Sequence, residues 1–197
     1  AQHPECFQRV MVSNCGLWLM PDPILNVPQG INREDYPVDA DAKVRTFDDF
    51  VADCNAKGYL KDDMSDFFFA WMRYALTGPE LKASDNLRRD FGGIELTEDE
   101  VRAYDAPFPD EIFMTGIRTL PSMGSLIDTQ RSLADWEALK TFDKPFLTLF
   151  GQFDMLVGSD KTQNTLIANV PGAAGLSHDR IPAGHFIQES HGPEVAR

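Results

Sequence analysis

An acid and a base each follow a segment of the sequence that is expected to form a strand. Asp154 comes after the apolar run FLTLF, within GQFDMLVG, and His185 lies within IPAGHFIQES. A carboxylate that accepts the imidazole N–H fixes the tautomer of a histidine and stabilises its protonated form, so the other ring nitrogen can act as a general base. A helix-capping carboxylate and a packed structural histidine are the alternative interpretations. The other histidines, His3, His178 and His191, lack such a setting and are predicted to be surface residues.

Three short segments are predicted strands of a parallel sheet: residues 9–14, 145–150 and 178–182. The first two are nearly continuous apolar runs, which is typical of strands buried on both faces. A helical segment separates the last two, and this spacing is that of a parallel strand-helix-strand unit. Reactive residues in such sheets collect beyond the carboxyl ends of the strands, so we expect Asp154 and His185 at the same edge.

The middle of the chain, about residues 20–140, lacks strand alternation and predicts helices joined by loops. Thr97 and Glu100 form a capping box, and Leu133, Trp136 and Leu139 form one apolar helical stripe. The other predicted caps are Thr46 and Ser159, Ser65 is the predicted start of a helix, and the predicted helix ends are at Gly58, at Gly78 with Pro79, and at Pro171 with Gly172. The fold class is therefore α/β, with a helical insertion between pieces of a parallel sheet.

Composition excludes several classes of partner. Lys and Arg number 18 against 31 Asp and Glu, so the formal net charge is −13, a field that repels nucleic acid and anionic lipid. The 3 cysteines contain no Cys-x-x-Cys pair and fit a reducing cytoplasm rather than a disulfide framework. The sequence has no His-Glu-x-x-His motif and no apolar run long enough to span a bilayer. We expect a cytoplasmic protein without a metal, a nucleic-acid partner or a membrane partner.

A nucleophile is missing from the recognisable motifs. The elbow pattern Gly-x-Ser-x-Gly and its Asp-centred equivalent are absent, and Ser125 lies in the helical middle without the second glycine. The chain order nucleophile, acid, histidine puts the elbow before Asp154, and we expect it ahead of the strand predicted at residues 9–14, just before Ala1. The polar helical stretch that stops at Arg197 adds to the expectation that this chain is an internal segment of a longer protein.

Three stretches of the chain carry a family resemblance. They are LTEDEVRAYDAPFPD at 96–110, DKPFLTLF at 143–150 and GAAGLSHDRIPAGHFIQES at 172–190. These stretches resemble haloalkane dehalogenases and their α/β-hydrolase relatives, and the resemblance runs over nearly the whole chain. It implies the C-terminal strands of a mostly parallel hydrolase sheet with an inserted helical cap. The implied divisions are a core strand in 1–20, the cap and its return in 21–140, and a core segment in 141–197.

The resemblance also implies a mechanism. In the family an elbow aspartate displaces halide from carbon to form an ester with the enzyme, and a histidine-activated water hydrolyses that ester without a cofactor. His185 resembles the water-activating base and Asp154 resembles its acid partner. Some relatives carry a glutamate after the preceding strand instead, but that position lies around Asn14, which cannot ionise. The sequence thus resembles the subgroup whose acid follows the later strand.

Four positions resemble the family's substrate-binding residues: Phe91, Leu120, Pro121 and Leu156. Phe91 aligns with a halide-binding tryptophan of the cap, and a phenyl ring has no N–H to donate to a halide. Trp18 and Trp71 are candidate substitutes, although core packing is the alternative for both. The implied partners are a small apolar halogenated substrate, water and a halide ion, and the complete protein is expected to be a monomer.

Other functions remain open at this stage. An epoxide hydrolase of the same fold would use cap tyrosines as acids, for which Tyr74 and Tyr104 are candidates, and an esterase would need a serine elbow. A chain without catalytic activity that binds an apolar ligand or a partner is the alternative from a different class. The residue at the elbow distinguishes an aspartate enzyme from a serine enzyme, and halide release distinguishes a dehalogenase from an epoxide hydrolase.

Overall fold

The computed structural model describes residues 3–15, 38–59, 65–88, 93–126, 128–154 and 160–196. The described chain mixes helices with a parallel sheet, as the sequence predicts for an α/β protein. The predicted cap Ser159 lies outside the described residues. None of the described helices is long and apolar enough to cross a membrane.

The sheet has three parallel strands in the order β1-β2-β3: β1 is Val10–Val12, β2 is Phe146–Gly151 and β3 is Asp179–Ile181. Val10 pairs with Phe146, and Gly151 pairs with Ile181. The three predicted strands are thus confirmed, but β1 and β3 are shorter than predicted. The backbone after β1 turns into the left-handed region at Asn14, with a φ of 42°, and Pro182 after β3 has no N–H for a ladder bond.

A helix, α6 (Asp160–Asn169), lies between β2 and β3 in the chain, and a 3-10 helix at Pro171–Ala173 follows it, so the predicted stop is confirmed. Gly172 packs directly on the backbone before β2. A Cβ at this position would lie 1.8 Å from the carbonyl oxygen of Lys144, so only glycine fits there. The close approach fixes the end of α6 against the start of β2.

The core beside the sheet forms from β2, α6 and α5 (Thr129–Leu139). It consists of Trp136, Phe142, Phe146, Phe150, Leu166, Val170 and Ala173, with Val10, Val12 and Leu139 packed against it. The predicted stripe on α5 is wrong at Leu133, whose exposed fraction is 48%. At 100° per residue Leu133 and Leu139 flank Trp136 on opposite sides, and only the Leu139 side packs on the core.

The helices from the middle of the chain are α1 (Phe47–Lys57), α2 (Ser65–Thr77), α3 (Glu98–Asp105) and α4 (Thr115–Thr119), with 3-10 helices at Ala83–Leu87 and Leu120–Leu126. The predicted caps of α1 and α3 are confirmed as capping boxes, Thr46 with Asp49 and Thr97 with Glu100. Gly58 ends α1 in the left-handed conformation, as expected from a helix-terminal glycine. Buried aromatic rings of α1 and α2 pack together: Phe47, Phe50, Phe67, Trp71 and Tyr74.

The described residues divide into two compact units. The first contains residues 3–15, 93–94, 128–154 and 160–196, and so holds the sheet. The second contains residues 38–59, 65–88 and 95–126, and so holds α1 to α4. Arg118 ties the second unit together, because its buried guanidinium donates to the carbonyl oxygens of Ala75 and Gly78 at 2.9 and 2.8 Å and pairs with Glu111.

Candidate active site

The first unit brings the predicted acid and base into contact. Nδ1 of His185 donates to Oδ2 of Asp154 over 3.0 Å. The Asp154 side chain is fully shielded from solvent, whereas 23% of the His185 side chain is exposed. A shielded carboxylate that holds Nδ1–H leaves Nε2 of the histidine as the basic nitrogen.

The loop after β2 carries Asp154 and is pinned to the chain after β3. The backbone N–H groups of Gln152 and Phe153 donate to the carbonyl oxygens of Ile181 and Ala183, at 2.8 and 3.0 Å. These bonds continue the sheet beyond its last ladder pair. They fix the loop of Asp154 against the loop of His185 at the carboxyl edge of the sheet, where the sequence predicts both.

The loop after β3 carries His185, with a buried alanine before it in the chain and an aromatic ring packed against it. Ala183 is almost fully buried, and the Phe186 ring meets the imidazole edge-on, with centroids 4.9 Å apart and an interplanar angle of 76°. α7 (Ile187–Val195) begins directly after Phe186, so the histidine sits at the turn between strand and helix. A ring edge against the imidazole restricts its rotation.

Gly151, the last residue of β2, permits the close approach of these loops. A Cβ at Gly151 would lie 2.5 Å from the carbonyl oxygens of both Ala183 and Gly184. Gly93, in the left-handed region with φ 83°, approaches the Cα of Gly184 in the same way. Sequence reasoning did not single out either glycine, although a glycine at the end of an apolar strand was an available signal.

Asn14, just after β1, is a third polar side chain at this edge. Its Nδ2 donates to the carbonyl oxygens of Gly184 and His185, at 2.9 and 2.6 Å, and its Oδ1 accepts from the N–H of Gly151 at 2.7 Å. Only 6% of Asn14 is exposed. The sequence shows that this residue cannot ionise, but these bonds depend on partners distant in the chain.

His178 is not the surface residue that the sequence predicts. Its Nδ1 accepts from the N–H of Thr148 at 3.1 Å, so its Nε2 carries the proton and donates to the carbonyl oxygen of Ala173 at 2.8 Å. Gln163 in turn donates to Oγ1 of Thr148. Both ring nitrogens of His178 therefore form hydrogen bonds with the backbone, and neither is left for catalysis.

The predicted substrate-binding residues fall into two groups. Leu120 and Pro121 open the 3-10 helix Leu120–Leu126 of the second unit, where Leu120 is 62% exposed and Pro121 is half-buried. Phe91 and Leu156 lie outside the described residues, as does Trp18. Leu120 is thus an apolar side chain available for contact on the surface of its unit.

Two aromatic candidates lie in the interior of the second unit. Trp71 is 2% exposed and packs against Phe47 and Phe50. The Tyr74 ring stacks on Phe50 with centroids 5.1 Å apart, and burial raises the pKa of its phenol well above the usual range. A phenol with a raised pKa is a poor proton donor, which disfavours Tyr74 as an epoxide-protonating acid. Tyr104 lies on α3.

Among the described residues, no three His, Cys, Asp or Glu side chains come together in an arrangement that could hold a metal ion. The 3.0 Å hydrogen bond makes the Asp154–His185 pair the candidate site of the first unit. It can orient an imidazole, accept a proton at Nε2 and stabilise the imidazolium that results.

Comparison with known proteins gives the chain a family. No family model matches the sequence. The chain is 40% identical over 134 residues to a haloalkane dehalogenase of Mycolicibacterium paratuberculosis and to haloalkane dehalogenase 1 of Mycobacterium tuberculosis, in each case over 66% of this chain and 43% of the relative. It is 32% identical over 142 residues to a haloalkane dehalogenase of Psychrobacter cryohalolentis, over 68% of this chain and 45% of the relative.

The chain spans less than half the length of these curated relatives. The identities nevertheless cover about two thirds of the chain, and all three relatives carry the same name. This agreement supports the resemblance noted in the sequence. The chain belongs to a haloalkane dehalogenase-like family.

Proposed function

We propose that the protein is a hydrolase that replaces the halogen of small haloalkanes with a hydroxyl group. The observation that carries the proposal is the 3.0 Å hydrogen bond between Asp154 and His185, in a chain related to haloalkane dehalogenases. In this proposal His185 is the general base and Asp154 is its acid partner. A base oriented by a shielded carboxylate suits the hydrolysis of an ester.

The reaction proceeds in two steps. An aspartate carboxylate attacks the carbon that bears the halogen, so a carbon–oxygen bond forms and the halide leaves with the electrons of the carbon–halogen bond. Nε2 of His185 then removes a proton from water, and the water oxygen attacks the ester carbonyl carbon. The ester cleaves to release an alcohol and regenerate the carboxylate. The imidazolium, stabilised by Asp154, returns its proton to solvent.

The nucleophile is proposed to lie upstream of Ala1 in a longer polypeptide. The sequence contains neither Gly-x-Ser-x-Gly nor Gly-x-Asp-x-Gly, and the family resemblance implies an elbow that precedes β1. We refer to a polypeptide that continues upstream through this elbow as the extended polypeptide. The 197-residue chain alone then gives no turnover.

Apolar side chains are proposed to bind the substrate. The exposed Leu120 side chain supports this role, and the family resemblance adds Pro121, Phe91 and Leu156. Apolar side chains remove a haloalkane from water at little cost, because the substrate brings few polar groups. Halide and water are the remaining partners, and the reaction needs no cofactor because the ester forms on the protein itself.

The proposal is tested by identifying the elbow residue and by measuring halide release. The coding sequence upstream of Ala1 is read, and the extended polypeptide and the 197-residue chain are each incubated with 1-bromobutane. We expect aspartate at the elbow, steady bromide release from the extended polypeptide and none from the shorter chain. A serine elbow with ester hydrolysis, or bromide release from the 197-residue chain that the substitution His185→Ala abolishes, would contradict the proposal.

A further inference from the structure

The carboxyl ends of β1 and β2 and the loop after β3 meet at the side chain of Asn14. Its carboxamide makes three hydrogen bonds, to the N–H of Gly151 and to the carbonyl oxygens of Gly184 and His185. Gly151 ends β2, the strand that leads to Asp154. The carbonyl oxygen of His185 belongs to the peptide group of the proposed base itself.

We propose that Asn14 is a positioning residue that sets the distance between Asp154 and His185. The meaning of this role for catalysis rests on the proposed function. Both donated bonds of the Asn14 carboxamide end on backbone carbonyl oxygens rather than on the imidazole. It acts on the backbone from which the imidazole projects.

The hydrogen-bond chemistry fixes the orientation of the carboxamide. The N–H of Gly151 requires an acceptor, so Oδ1 must face it, and Nδ2 then faces the two carbonyl oxygens. Only an amide offers an acceptor on one side and two N–H donors on the other at this size. A carboxylate of the same shape would place a negative oxygen against both carbonyl oxygens.

The burial of Asn14 makes the loss of its hydrogen bonds costly. Asn14 is 6% exposed, so water does not readily replace a lost donor or acceptor. Without the carboxamide, three backbone groups would lose a partner, one at the end of β2 and two in the loop after β3. The loops would regain solvation by moving apart, which lengthens the distance between Nδ1 of His185 and Oδ2 of Asp154 from its present 3.0 Å.

The backbone of Asn14 allows the side-chain role to be tested separately. Its φ of 42° lies in the left-handed region, which glycine, asparagine and aspartate tolerate best. Asn14→Gly therefore removes the carboxamide without backbone strain. Asn14→Asp keeps the shape and the acceptor for Gly151 but replaces the two N–H donations with a repulsive oxygen.

A control is needed for a general loss of stability. Asn164 is exposed in the interior of α6, in the same unit, so Asn164→Gly weakens a helix without touching the three bonds. A probe in the sheet is also needed, and the N–H of Thr148 in β2 serves because it donates to Nδ1 of His178. It reports on the sheet independently of Asn14.

The experiment measures proton exchange in the 197-residue chain by nuclear magnetic resonance, with all nitrogens isotopically labelled so that the His185 ring and the Thr148 amide are both observed. In both Asn14 variants we expect the Nδ1–H of His185 to exchange about tenfold faster or more. The N–H of Thr148 should keep its protection, and Asn164→Gly should leave the His185 proton unchanged relative to Thr148.

Three results would overturn the proposal. Unchanged exchange at His185 in Asn14→Gly would show that the carboxamide does not position the base. Equal loss of protection at His185 and Thr148, or unfolding of both Asn14 variants, would assign Asn14 a purely structural role. The readout needs no substrate, so its outcome is separate from that of the halide-release assay, and either proposal can fail without the other.

Discussion

Asp85 is a carboxylic acid that the second unit holds almost out of contact with water. It is 5% exposed, and desolvation by burial raises the pKa of its carboxyl to about 6. The N–H of Lys82, which donates to Oδ2 at 2.9 Å, and the guanidinium of Arg88 favour the charged form and limit this rise. Folding therefore costs free energy whenever this carboxyl is ionised.

This shift predicts the direction of a pH dependence. A carboxyl whose pKa is raised in the folded state, here from 3.8 to about 6, favours folding at low pH, and that contribution is lost as pH rises through this interval. Asp85→Asn keeps an acceptor for Lys82 and removes the ionisation. The variant should be more stable than the parent at pH 8 by up to about 3 kcal/mol, the free energy of a shift of about two units. Its advantage should shrink towards acid pH.

Urea unfolding of the parent and of Asp85→Asn, each at acid and at alkaline pH, checks the prediction. The comparison of the two proteins cancels the titration of all other groups that the substitution leaves unchanged. If the unfolding free energies of the parent and of Asp85→Asn differed by the same amount at both pH values, the raised pKa would not belong to Asp85.

Asp154 offers a second prediction, about the two chemical steps. In the extended polypeptide, Asp154→Asn should slow ester hydrolysis more than ester formation, because only hydrolysis needs the base that Asp154 orients. Single-turnover measurements that follow bromide and alcohol separately give the two rates. His3→Gln, at a side chain that is 73% exposed, is a surface control and should leave both rates unchanged. Equal slowing of both steps in Asp154→Asn would contradict the assigned role.

The sequence predicts individual residues well where the signal is local. Asp154 and His185 could be singled out because each follows a predicted strand, and the structure brings them together. The roles of Asn14 and His178 could not be predicted from such a local signal. The bonds of Asn14 join residues 137 to 171 positions apart, and His178 bonds to a backbone N–H 30 positions away. No local pattern encodes such partners.

The same holds for helices and strands: features set by neighbouring residues were predictable, and features set by contacts with distant residues were not. The capping boxes at Thr46 and Thr97 and the stop at Gly58 depend on neighbouring residues and were predictable. The exposure of Leu133 was not, because it depends on which side of α5 packs against the core. The short length of β1 depends on the conformation of Asn14 beyond it.

Gly172 gives a prediction for the packing of α6 against β2. Gly172→Ala should lower the free energy of unfolding by about 1–3 kcal/mol, because its Cβ would overlap the backbone of Lys144 and force the chain to shift. Gly192→Ala is the matched control in the same unit, where a Cβ would meet no atom within 4 Å. Chemical denaturation of both variants measures the difference. Equal stability of the two would contradict the close packing at Gly172.

For the whole chain, the fold class was predictable from the sequence. Parallel pairing followed from apolar runs separated by a helix, and the structure confirms it. The division of the described residues into two units rests on contacts between distant segments. The relatives are more than twice as long as the part that this chain matches, so the proposed reaction belongs to the extended polypeptide.

The most direct measurement of the proposed reaction is the mass of the protein during catalysis. His185→Gln in the extended polypeptide removes the base but not the nucleophile, so ester formation should continue while hydrolysis stops. Intact-protein mass spectrometry after incubation with 1-bromobutane should show a stable gain of one butyl group in the variant, together with one equivalent of bromide. Continuous bromide release by the variant, or bromide release without any covalent adduct, would contradict the account.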